Sequence, residues 1–343
     1  MRLLLRETDK VSVGAANTAP GESLPRETAP HRHLHLLPIS CLIMVLTAPT
    51  APVEATGAAL SNGLSNGCRS TPRGLPYCGA YVGAAYKHNA DVSSWERSMR
   101  KTLGVHRTYY SAAEVPRAVA TARADVAHHR VPWMSFKTPY AWADMARGKG
   151  DAWARNLATR LKRVRGPVWI AIHHEPEGDG VIAEWRAMQA RLAPMMRAAA
   201  PNLAYTIILT GYHEFRSGDR RYAMRAIWPR TKIDVAGFDI FEDYGVGGDT
   251  TWKDFDNDYF IPIRAWSRST GVRWALGESG YSDEAAAKDP QWLSRTYRHM
   301  RAYGGIAFIY FNSKSNSVTN WSLHTPAKNA AFTEINRSAP ILK

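Results

Sequence analysis

Short apolar runs and longer amphipathic stretches alternate along most of this chain. Eight runs rich in Val, Ile, Ala and aromatic residues have the length of buried strands. They cover residues 79–83, 105–110, 131–136, 168–172, 205–210, 233–238, 274–276 and 305–311. Between them, residues 112–128, 151–164, 181–199, 256–269 and 285–303 carry apolar residues at three- and four-residue spacing, which predicts helices.

This alternation predicts an α/β fold in which a helix follows each strand. Eight such units in a single domain, residues 78–343, are typical of a (β/α)8 TIM barrel, whose usual length is roughly 250 residues. A doubly wound sheet is the alternative, but it requires a glycine-rich phosphate loop after the first strand. No such loop follows residues 79–83, so the barrel is favoured.

The first 58 residues differ from the rest and are predicted to be a leader. Residues 1–33 are polar and without period, 34–46 form an apolar run of the length of a signal-peptide core, and 47–59 are rich in small residues. Cleavage near Ala55 or Ala58 would release a secreted, extracellular protein without a membrane segment. Residues 59–77 would then be an N-terminal extension, and a cytoplasmic protein is the alternative.

Cysteine usage agrees with export. Apart from Cys41 in the leader, the chain has only Cys68 and Cys78, which enclose a short segment with Pro and Gly. An even pair at the start of a secreted domain indicates a disulfide that pins the N-terminus. Two free thiols are the alternative.

The composition is that of an ordinary globular protein, with 45% hydrophobic and 22% charged residues, but the formal net charge is +14. Basic and acidic residues balance in the leader, so the excess belongs to the predicted barrel. A basic surface suits anionic glycans, cell wall or nucleic acid, and it is also a solubility feature of exported proteins, which we favour. Because Arg and Lys are spread over the predicted helices rather than gathered in one block, we expect no nucleic-acid partner.

Two carboxylates stand at the ends of predicted strands. The fourth strand leads into two histidines and Glu175, and Pro176 ends the strand there. The seventh leads into Glu278, which lies between glycines that let a ligand approach closely. Barrel enzymes keep their chemistry at the carboxyl ends of the strands, so we expect the two glutamates to face each other across one mouth. Taken singly, each could instead be an ordinary solvated loop carboxylate.

Two opposed carboxylates are the apparatus of glycoside hydrolysis. One acid protonates the departing oxygen, and the other attacks the sugar carbon or activates water. A carboxyl separation of about 5 to 5.5 Å would indicate retention of configuration, and a wider gap would indicate inversion.

The His174-Glu175 pair and Glu278 resemble the retaining β-glycosidases of clan A, and most of all glycoside hydrolase family 26, over residues 78–323 in strand order. The resemblance implies that Glu175 is the general acid/base and Glu278 the nucleophile. It also implies that His174 contacts the sugar or the nucleophile side.

A further segment, residues 237–241, is similar to a Gly-x-Asp-x-Tyr pattern of such enzymes and implies that Asp239 binds substrate. Phe241 stands where that pattern has its tyrosine, so Tyr244 is the nearest candidate to hydrogen-bond the nucleophile. Ala171 replaces an arginine common four residues before the acid/base, and residues 176–180 replace an aromatic-rich segment. The tryptophan of the eighth strand is absent from the strand tip, and Trp321 is expected to reach back from the loop.

Aromatic residues cluster at or just after the predicted strand ends. Flat rings at a barrel mouth are natural stacking platforms for the apolar face of a sugar, although each ring could equally pack in the core. Arg107, near the end of the second strand, is expected to bind a hydroxyl or orient Glu278, or alternatively to form a salt bridge inside the mouth. The aromatic candidates are Trp133, Tyr140, Trp142, Tyr212, Tyr244, Tyr281 and Trp321.

His173, His174 and His213 raise the question of a metal. Metal-dependent barrel hydrolases normally show His-x-His at the end of the first strand, and this chain has neither that pattern nor H-E-x-x-H. We therefore expect no metal and no cofactor.

These observations predict a secreted, monomeric, endo-acting retaining glycoside hydrolase that cleaves β-linked polysaccharide of the β-mannan, β-xylan or β-glucan class. Glu278 is expected to be ionised at rest and Glu175 protonated, for a double-displacement mechanism. Glu177 and Asp179 are rival acids because they lie close to Glu175. The alternative is a catalytically inactive barrel that binds cell-wall or anionic glycan, which would need the aromatics but not both glutamates.

Overall fold

Eight parallel strands close into a barrel, as predicted. The computed structural model describes residues 69–315, 317 and 319–343. Strand pairing runs in chain order from β1 to β8, and β8 pairs with β1 to complete the cylinder. The strands are β1 Tyr81–Tyr86, β2 Val105–Tyr110, β3 Val131–Phe136, β4 Val168–Ile172, β5 Leu203–Leu209, β6 Val235–Glu242, β7 Arg273–Tyr281 and β8 Gly305–Asn312.

Helices surround the barrel, and at least one helix lies in every connection between consecutive strands. Short helices in several connections add to the main helical layer. The helices are α1 Ser93–Met99, α2 Val115–Ala127, α3 Trp142–Ala146, α4 Asp151–Lys162, α5 Ile182–Ala199, α6 Tyr212–Phe215, α7 Met224–Ile227, α8 Ile261–Thr270, α9 Asp283–Lys288, α10 Trp292–Ala302 and α11 Pro326–Ser338.

Two predicted helices are interrupted. The predicted helix over 285–303 is two helices, α9 and α10, because Asp289 and Pro290 separate them and proline cannot continue a helix that precedes it. The predicted helix over 256–269 begins with a π-helical turn, Asp256–Phe260, before α8.

Side chains of each strand alternate between the barrel interior and the helical layer, and this alternation sets the two cores. On β2, Val105 belongs to the interior cluster, whereas Tyr110 packs in the outer cluster. Trp133 and Trp169 meet edge to face inside the barrel, with ring centroids 5.0 Å apart. Gly237 leaves room for them, because a Cβ there would lie 3.1 Å from the Trp133 ring.

The end of the barrel from which the strands start is closed by both flanks of the domain. Arg73 donates from Nε to the Leu203 carbonyl, and its own carbonyl accepts from the Trp169 indole. From the other flank, Leu342 joins the interior cluster and donates its backbone N–H to the His129 carbonyl. The interior is therefore open only at the opposite end, where the strands finish.

A buried ionic network ties α1, α2 and β3 together beside this closed end. Arg130 binds Glu96 at 2.6 Å and Asp125 at 2.8 Å, and Asp125 also pairs with His106 at 2.9 Å. Glu96 additionally accepts the backbone N–H of Leu103. All of these side chains are almost fully buried, so each charge depends on its partners rather than on water.

The leader, residues 1–58, and Cys68 lie outside the described residues. The predicted domain boundaries, the signal peptide and the Cys68–Cys78 disulfide therefore stay predictions. Within the described part of the chain, no helix is both long enough and apolar enough to cross a bilayer.

Removal of Arg130 should destabilise the domain strongly. Arg130→Ala leaves Glu96 and Asp125 buried without their cation, so we expect a loss of about 3 kcal/mol or more in the free energy of unfolding. Arg117→Ala is the matched control, because Arg117 forms an exposed pair with Glu114 and should cost less than about 1 kcal/mol. Urea unfolding of both variants measures the difference, and equal losses would contradict the argument.

Candidate active site

A one-residue bulge brings Glu278 into the barrel mouth. Along β6 and β7 the register steps from Phe238 opposite Leu276 to Asp239 opposite Glu278, so Gly277 is the extra residue. Without the bulge, strict alternation would turn Glu278 toward the helices. Glycine is required there, since a Cβ would lie 2.6 Å from an Asp239 oxygen. Glu278 therefore lies within β7 rather than after its end, unlike the sequence prediction.

The Glu278 carboxyl is held by two side chains from β2, across the interior. The Tyr109 hydroxyl donates to Glu278 Oε1 at 2.6 Å, and Arg107 Nη2 lies 3.8 Å from the same oxygen. Burial and the nearby charge of Glu175 raise the pKa of Glu278 to about 7, while Arg107 and the Tyr109 hydroxyl act in the opposite direction. Arg107 and Tyr109 are the groups that favour negative charge on Glu278.

Tyr109, which was not predicted from the sequence, forms the hydrogen bond to Glu278 that was expected of Tyr244. The Tyr244 ring instead packs against Trp252, with the Lys288 ammonium 3.9 Å from its centroid. The prediction for Tyr244 was wrong because sequence proximity to β6 says nothing about which strand faces Glu278 across the barrel. A signal for Tyr109 was present, since it lies two residues beyond Arg107 and so shares its face.

Arg107 lies in the interior of the barrel, not at a strand end. It is the third residue of β2 and fully buried, and its Nη1 donates to Ser135 at 2.7 Å. Its guanidinium lies over the Tyr109 ring, 4.7 Å from the centroid. The two predicted alternatives describe the same contact: Arg107 forms a salt bridge inside the mouth, and its partner in that salt bridge is Glu278.

Glu175 follows β4 in a backbone conformation that is unusual for its residue type. His173 and Glu175 have φ of +55° and +47°, in the left-handed region that side chains other than glycine seldom adopt. Two hydrogen bonds hold this turn, from His173 N to the Phe136 carbonyl at 2.8 Å and from Glu175 N to the Ile208 carbonyl at 2.9 Å. The ends of β3 and β5 thus fix the acid-bearing turn from both sides, as functional sites under strain require.

His174 lies beside the group that bonds Glu278. Its ring centroid is 5.6 Å from that of Tyr109. Burial and then the positive charge of Arg107 hold the pKa of His174 well below its usual range, so the ring stays neutral. Next to it, His173 Nε2 binds Asp179 Oδ2 at 3.0 Å, with Lys137 within 3.5 Å of the same oxygen. Asp179, one predicted rival acid, is therefore engaged at the rim.

Asp239 is a third carboxyl group in the mouth. It is almost fully buried beside Glu278, and neither of its oxygens meets a donor among the described residues. Burial, followed by the charges of Glu278 and Glu175, raises the pKa of Asp239 well above its ordinary value. Burial and the neighbouring charges thus favour the protonated form of Asp239, which can donate a hydrogen bond.

Two predicted sugar platforms are core residues. Trp133 is fully buried inside the barrel and donates its indole N–H to Thr206 at 2.9 Å. Tyr281 is buried behind β7, where it stacks on Trp292 of α10 with centroids 4.9 Å apart. Both predictions were wrong: Trp133 is the third residue of β3 and faces the interior, whereas β7 continues to Tyr281, which faces the outer layer.

Two other predicted aromatics lie near the mouth. Trp321 returns from the loop after β8, as expected, and packs on Phe241 with centroids 4.8 Å apart. Tyr212 begins α6 after β5, is 46% exposed and meets the edge of His213. Their part in binding stays a prediction.

A second pair of carboxyl groups lies beneath the turn that carries Glu175. Glu177 is 1% and Glu214 is 8% exposed, and each acts on the pKa of the other. Thr210 contacts both, through its backbone N–H to Glu177 and its hydroxyl to Glu214. Two buried carboxyl groups this close disfavour double ionisation, so the pair favours a protonated form. Glu177, the other rival acid, is buried in this pair.

Burial is the main cause of the raised pKa values of Glu177 and Glu214. It raises the pKa of Glu214 to about 7 and, together with the Glu214 charge, raises the pKa of Glu177 well above its ordinary value.

Among the described residues, no group of three or more His, Cys, Asp or Glu side chains is placed to hold a metal ion.

This chain is similar to known proteins in structure, but no similar family or curated sequence was found. No family model matches the chain, and no curated protein sequence matches it. Among solved structures, the GH26 β-mannanase of Bacteroides ovatus superposes with a TM-score of 0.56 at 13% identity, over 78% of this chain and 91% of that one.

Two further solved structures are similar. An exo-β-1,4-mannosidase from Opitutaceae bacterium strain TAV5 has a TM-score of 0.56 at 15% identity, over 80% of this chain and 61% of that one. Cel5A of Thermotoga maritima, solved with mannotriose, has a TM-score of 0.56 at 11% identity, over 74% of this chain and 96% of that one. The chain has the barrel fold of clan A glycoside hydrolases. The predicted fold and the predicted likeness to that clan are confirmed, while these low identities carry no activity over.

The buried carboxyl pair should make stability fall as the pH rises. Unfolded Glu214 would titrate near 4.3, whereas the folded residue titrates at about 7, so the folded state binds more protons between these values and loses stability through that window. Glu214→Gln keeps a hydrogen-bond donor for Glu177 and removes one titration. We expect the melting temperature of this variant to fall less than that of the wild type between pH 5 and 8.

The exposed Glu184→Gln is the matched control, because Glu184 also lies in the chain after β4 but faces solvent. Its melting temperature should follow the wild-type pH dependence. Parallel curves for Glu214→Gln and the wild type would show that the pair does not titrate in this window.

Proposed function

We propose that this protein is a retaining glycoside hydrolase that acts on β-linked polysaccharide. The observation that carries the proposal is the Glu278 carboxyl, held inside the mouth by Tyr109 and Arg107 and acted on by the charge of Glu175. Opposed carboxyl groups are the requirement of the double-displacement reaction, and Arg107 and Tyr109 are the contacts that favour the anionic form of Glu278. The barrel likeness to mannan- and cellulose-active enzymes supports this choice but does not name the sugar.

In the first step, Glu278 attacks the anomeric carbon while Glu175 protonates the departing oxygen. The bond from the sugar carbon to the leaving oxygen breaks as the bond to Glu278 forms, which gives a covalent glycosyl-enzyme. Glu175, now ionised, then takes a proton from water, which attacks the same carbon and releases Glu278. Arg107 and Tyr109 stabilise Glu278 each time it carries the charge.

The neighbouring groups support this division of roles. His174 remains neutral beside Tyr109 and can donate or accept a hydrogen bond without adding charge to the mouth. Asp239 lies beside the nucleophile with neither oxygen bonded to another described residue, so it can hydrogen-bond a sugar hydroxyl there. Export through the leader and endo action on a polymer are further parts of the proposal. The candidate substrates are β-mannan, β-xylan and β-glucan.

The first test is the release of reducing sugar from β-mannan, β-1,3-xylan, mixed-linkage β-glucan and an anionic wall polysaccharide. Glu278→Ala should abolish turnover on any substrate that the wild type cleaves, since no nucleophile remains. Glu175→Ala should lose most activity on natural glycans and keep more on aryl glycosides, whose good leaving groups need no protonation.

Glu177→Gln and Asp179→Asn are the controls for the rival acids, because Glu177 is buried in its pair and Asp179 binds His173. In both variants, the ratio of activity on aryl glycosides to activity on natural glycans should equal that of the wild type. Turnover by Glu278→Ala at the wild-type rate would refute the mechanism. Retention of a glycan by a folded but inactive wild type would favour the inactive, glycan-binding barrel.

Loss of the Tyr109 hydroxyl should weaken catalysis and shift its pH dependence. Tyr109→Phe removes a donor that favours ionised Glu278, so we expect kcat to fall by about 10²-fold and the acid limb of kcat/KM to move to higher pH. Tyr110→Phe is the matched control, because its ring packs in the outer core. An unchanged acid limb in Tyr109→Phe would contradict the role of this hydrogen bond.

A further inference from the structure

The charged residues of the domain are divided unevenly between the two ends of the barrel. We define the N-terminal face as the connections that lead into the strands, together with residues 69–80 and 339–343. Its described residues contain one carboxylate side chain, Asp234, which is buried. The cations of the same face are Arg69, Arg73, Arg100, Lys101, Arg130, Arg163, Arg165, Arg230, Lys232 and Lys343.

Several of these cations are committed to the fold, and the rest face solvent. Arg130 is taken up by the buried network, and Asp234 pairs with Arg197 of α5 at 2.9 Å. The exposed set, by contrast, forms no salt bridge with any other described residue. Its members are Arg69, Arg100, Arg163, Arg165, Arg230 and Lys232.

The opposite end has the reverse character. The connections that follow the strands carry more carboxylates than cations, among them Glu175, Asp179, Asp243, Asp249 and Asp283. A polyanion would be repelled from this end and attracted to the N-terminal face. The basic excess of the chain is therefore not explained by the substrate proposed for the mouth.

Helix dipoles account for only part of the pattern. The last turns of several helices carry basic residues, as in Lys162 of α4 and Arg268 of α8, and the C-terminal ends of these helices are partly negative. Arg165, Arg230 and Lys232 lie in the connections beyond the helix ends, outside the turn in which that effect acts. Solubility would be served equally by cations at any position.

The same face carries an exposed aromatic ring. Tyr77 is 66% exposed, and its backbone N–H donates to the Arg69 carbonyl at 2.9 Å. The preceding residue, Pro76, accepts from Arg273 at 2.6 Å, which fixes the segment to the start of β7. An exposed tyrosine on this face can stack on a sugar ring, and guanidinium groups elsewhere on the face can bind the anionic substituents of the same polymer.

We propose that the N-terminal face binds an anionic polysaccharide, one that carries carboxylate or phosphate groups, at a site separate from the mouth. Arginine binds both groups through paired N–H donors, and Tyr77 favours a glycan over a bare charged surface. Binding at this end leaves the mouth directed away from the anionic polymer. The inference does not depend on the proposed glycosidase activity.

The test measures the affinity of the full chain for polygalacturonate and for a phosphate-substituted dextran. Both have α-linked backbones, which separates this site from a mouth proposed to take β-linked chains. Methyl-esterified polygalacturonate and plain dextran are the neutral counterparts. We expect binding only to the two anionic forms, with affinity that falls as salt is added. The stronger of the two identifies the anionic group.

Two double variants locate the site. Arg163→Glu with Arg165→Glu, and Arg230→Glu with Lys232→Glu, should each weaken binding by about tenfold or more. Tyr77→Ala should weaken binding severalfold. Arg220→Glu with Arg298→Glu changes the net charge equally at exposed positions off this face and should change affinity by less than twofold. If a Glu variant unfolds, the Gln versions at the same positions should still weaken binding.

Other results would overturn the proposal. An equal loss in the Arg220→Glu, Arg298→Glu control would show an effect of net charge alone. Tighter binding to duplex DNA, or to vesicles of anionic lipid, would assign the face to another class of partner. No binding at low salt would exclude the site, whatever activity the mouth shows, and activity on neutral substrates should be unaffected in the face variants.

Discussion

Alternation of side chains in a closed barrel is the constraint on which the site depends. Every second residue of each strand faces an interior closed at one end, so a polar side chain placed there must find partners inside it. On β2 this rule puts Arg107 and Tyr109 on one face. On β7 it would turn Glu278 away, and the bulge at Gly277 reverses that direction. A single extra residue therefore determines whether the three groups can meet.

Several carboxyl groups lie close together in the mouth, and their mutual repulsion affects their pKa values. Glu175, Glu278 and Asp239 act on one another in a region where burial already disfavours charge, and Arg107 is the buried cation among them. Burial and like charge therefore both disfavour ionisation of Glu278 and Asp239. The Glu177–Glu214 pair repeats this arrangement below the turn that carries Glu175. This pair lies between the turn after β4, which carries Glu177, and α6, which carries Glu214.

Because the strands are parallel, the connections at the two barrel ends form two separate sets of residues. All strands point the same way, so all connections that follow strands gather at the mouth and all connections that precede them gather at the closed end. The chain places carboxylates and strained backbone at the first and exposed arginines at the second. Loops at one end can therefore differ in charge from those at the other without disturbing the barrel that joins them.

The sequence by itself determined the eight strands, most of the helices and the two glutamates, because these follow from local periodicity and from single residues at strand ends. It misplaced Trp133 and Tyr281 and chose Tyr244 over Tyr109, since a strand's true end, its register and the identity of the opposing strand are properties of pairing partners distant in the chain. Only the tertiary structure decided that Gly277 is a bulge, that Arg107 lies inside the barrel and that Glu177 meets Glu214. Burial and long-range contact set these features, and neither is encoded in any short segment.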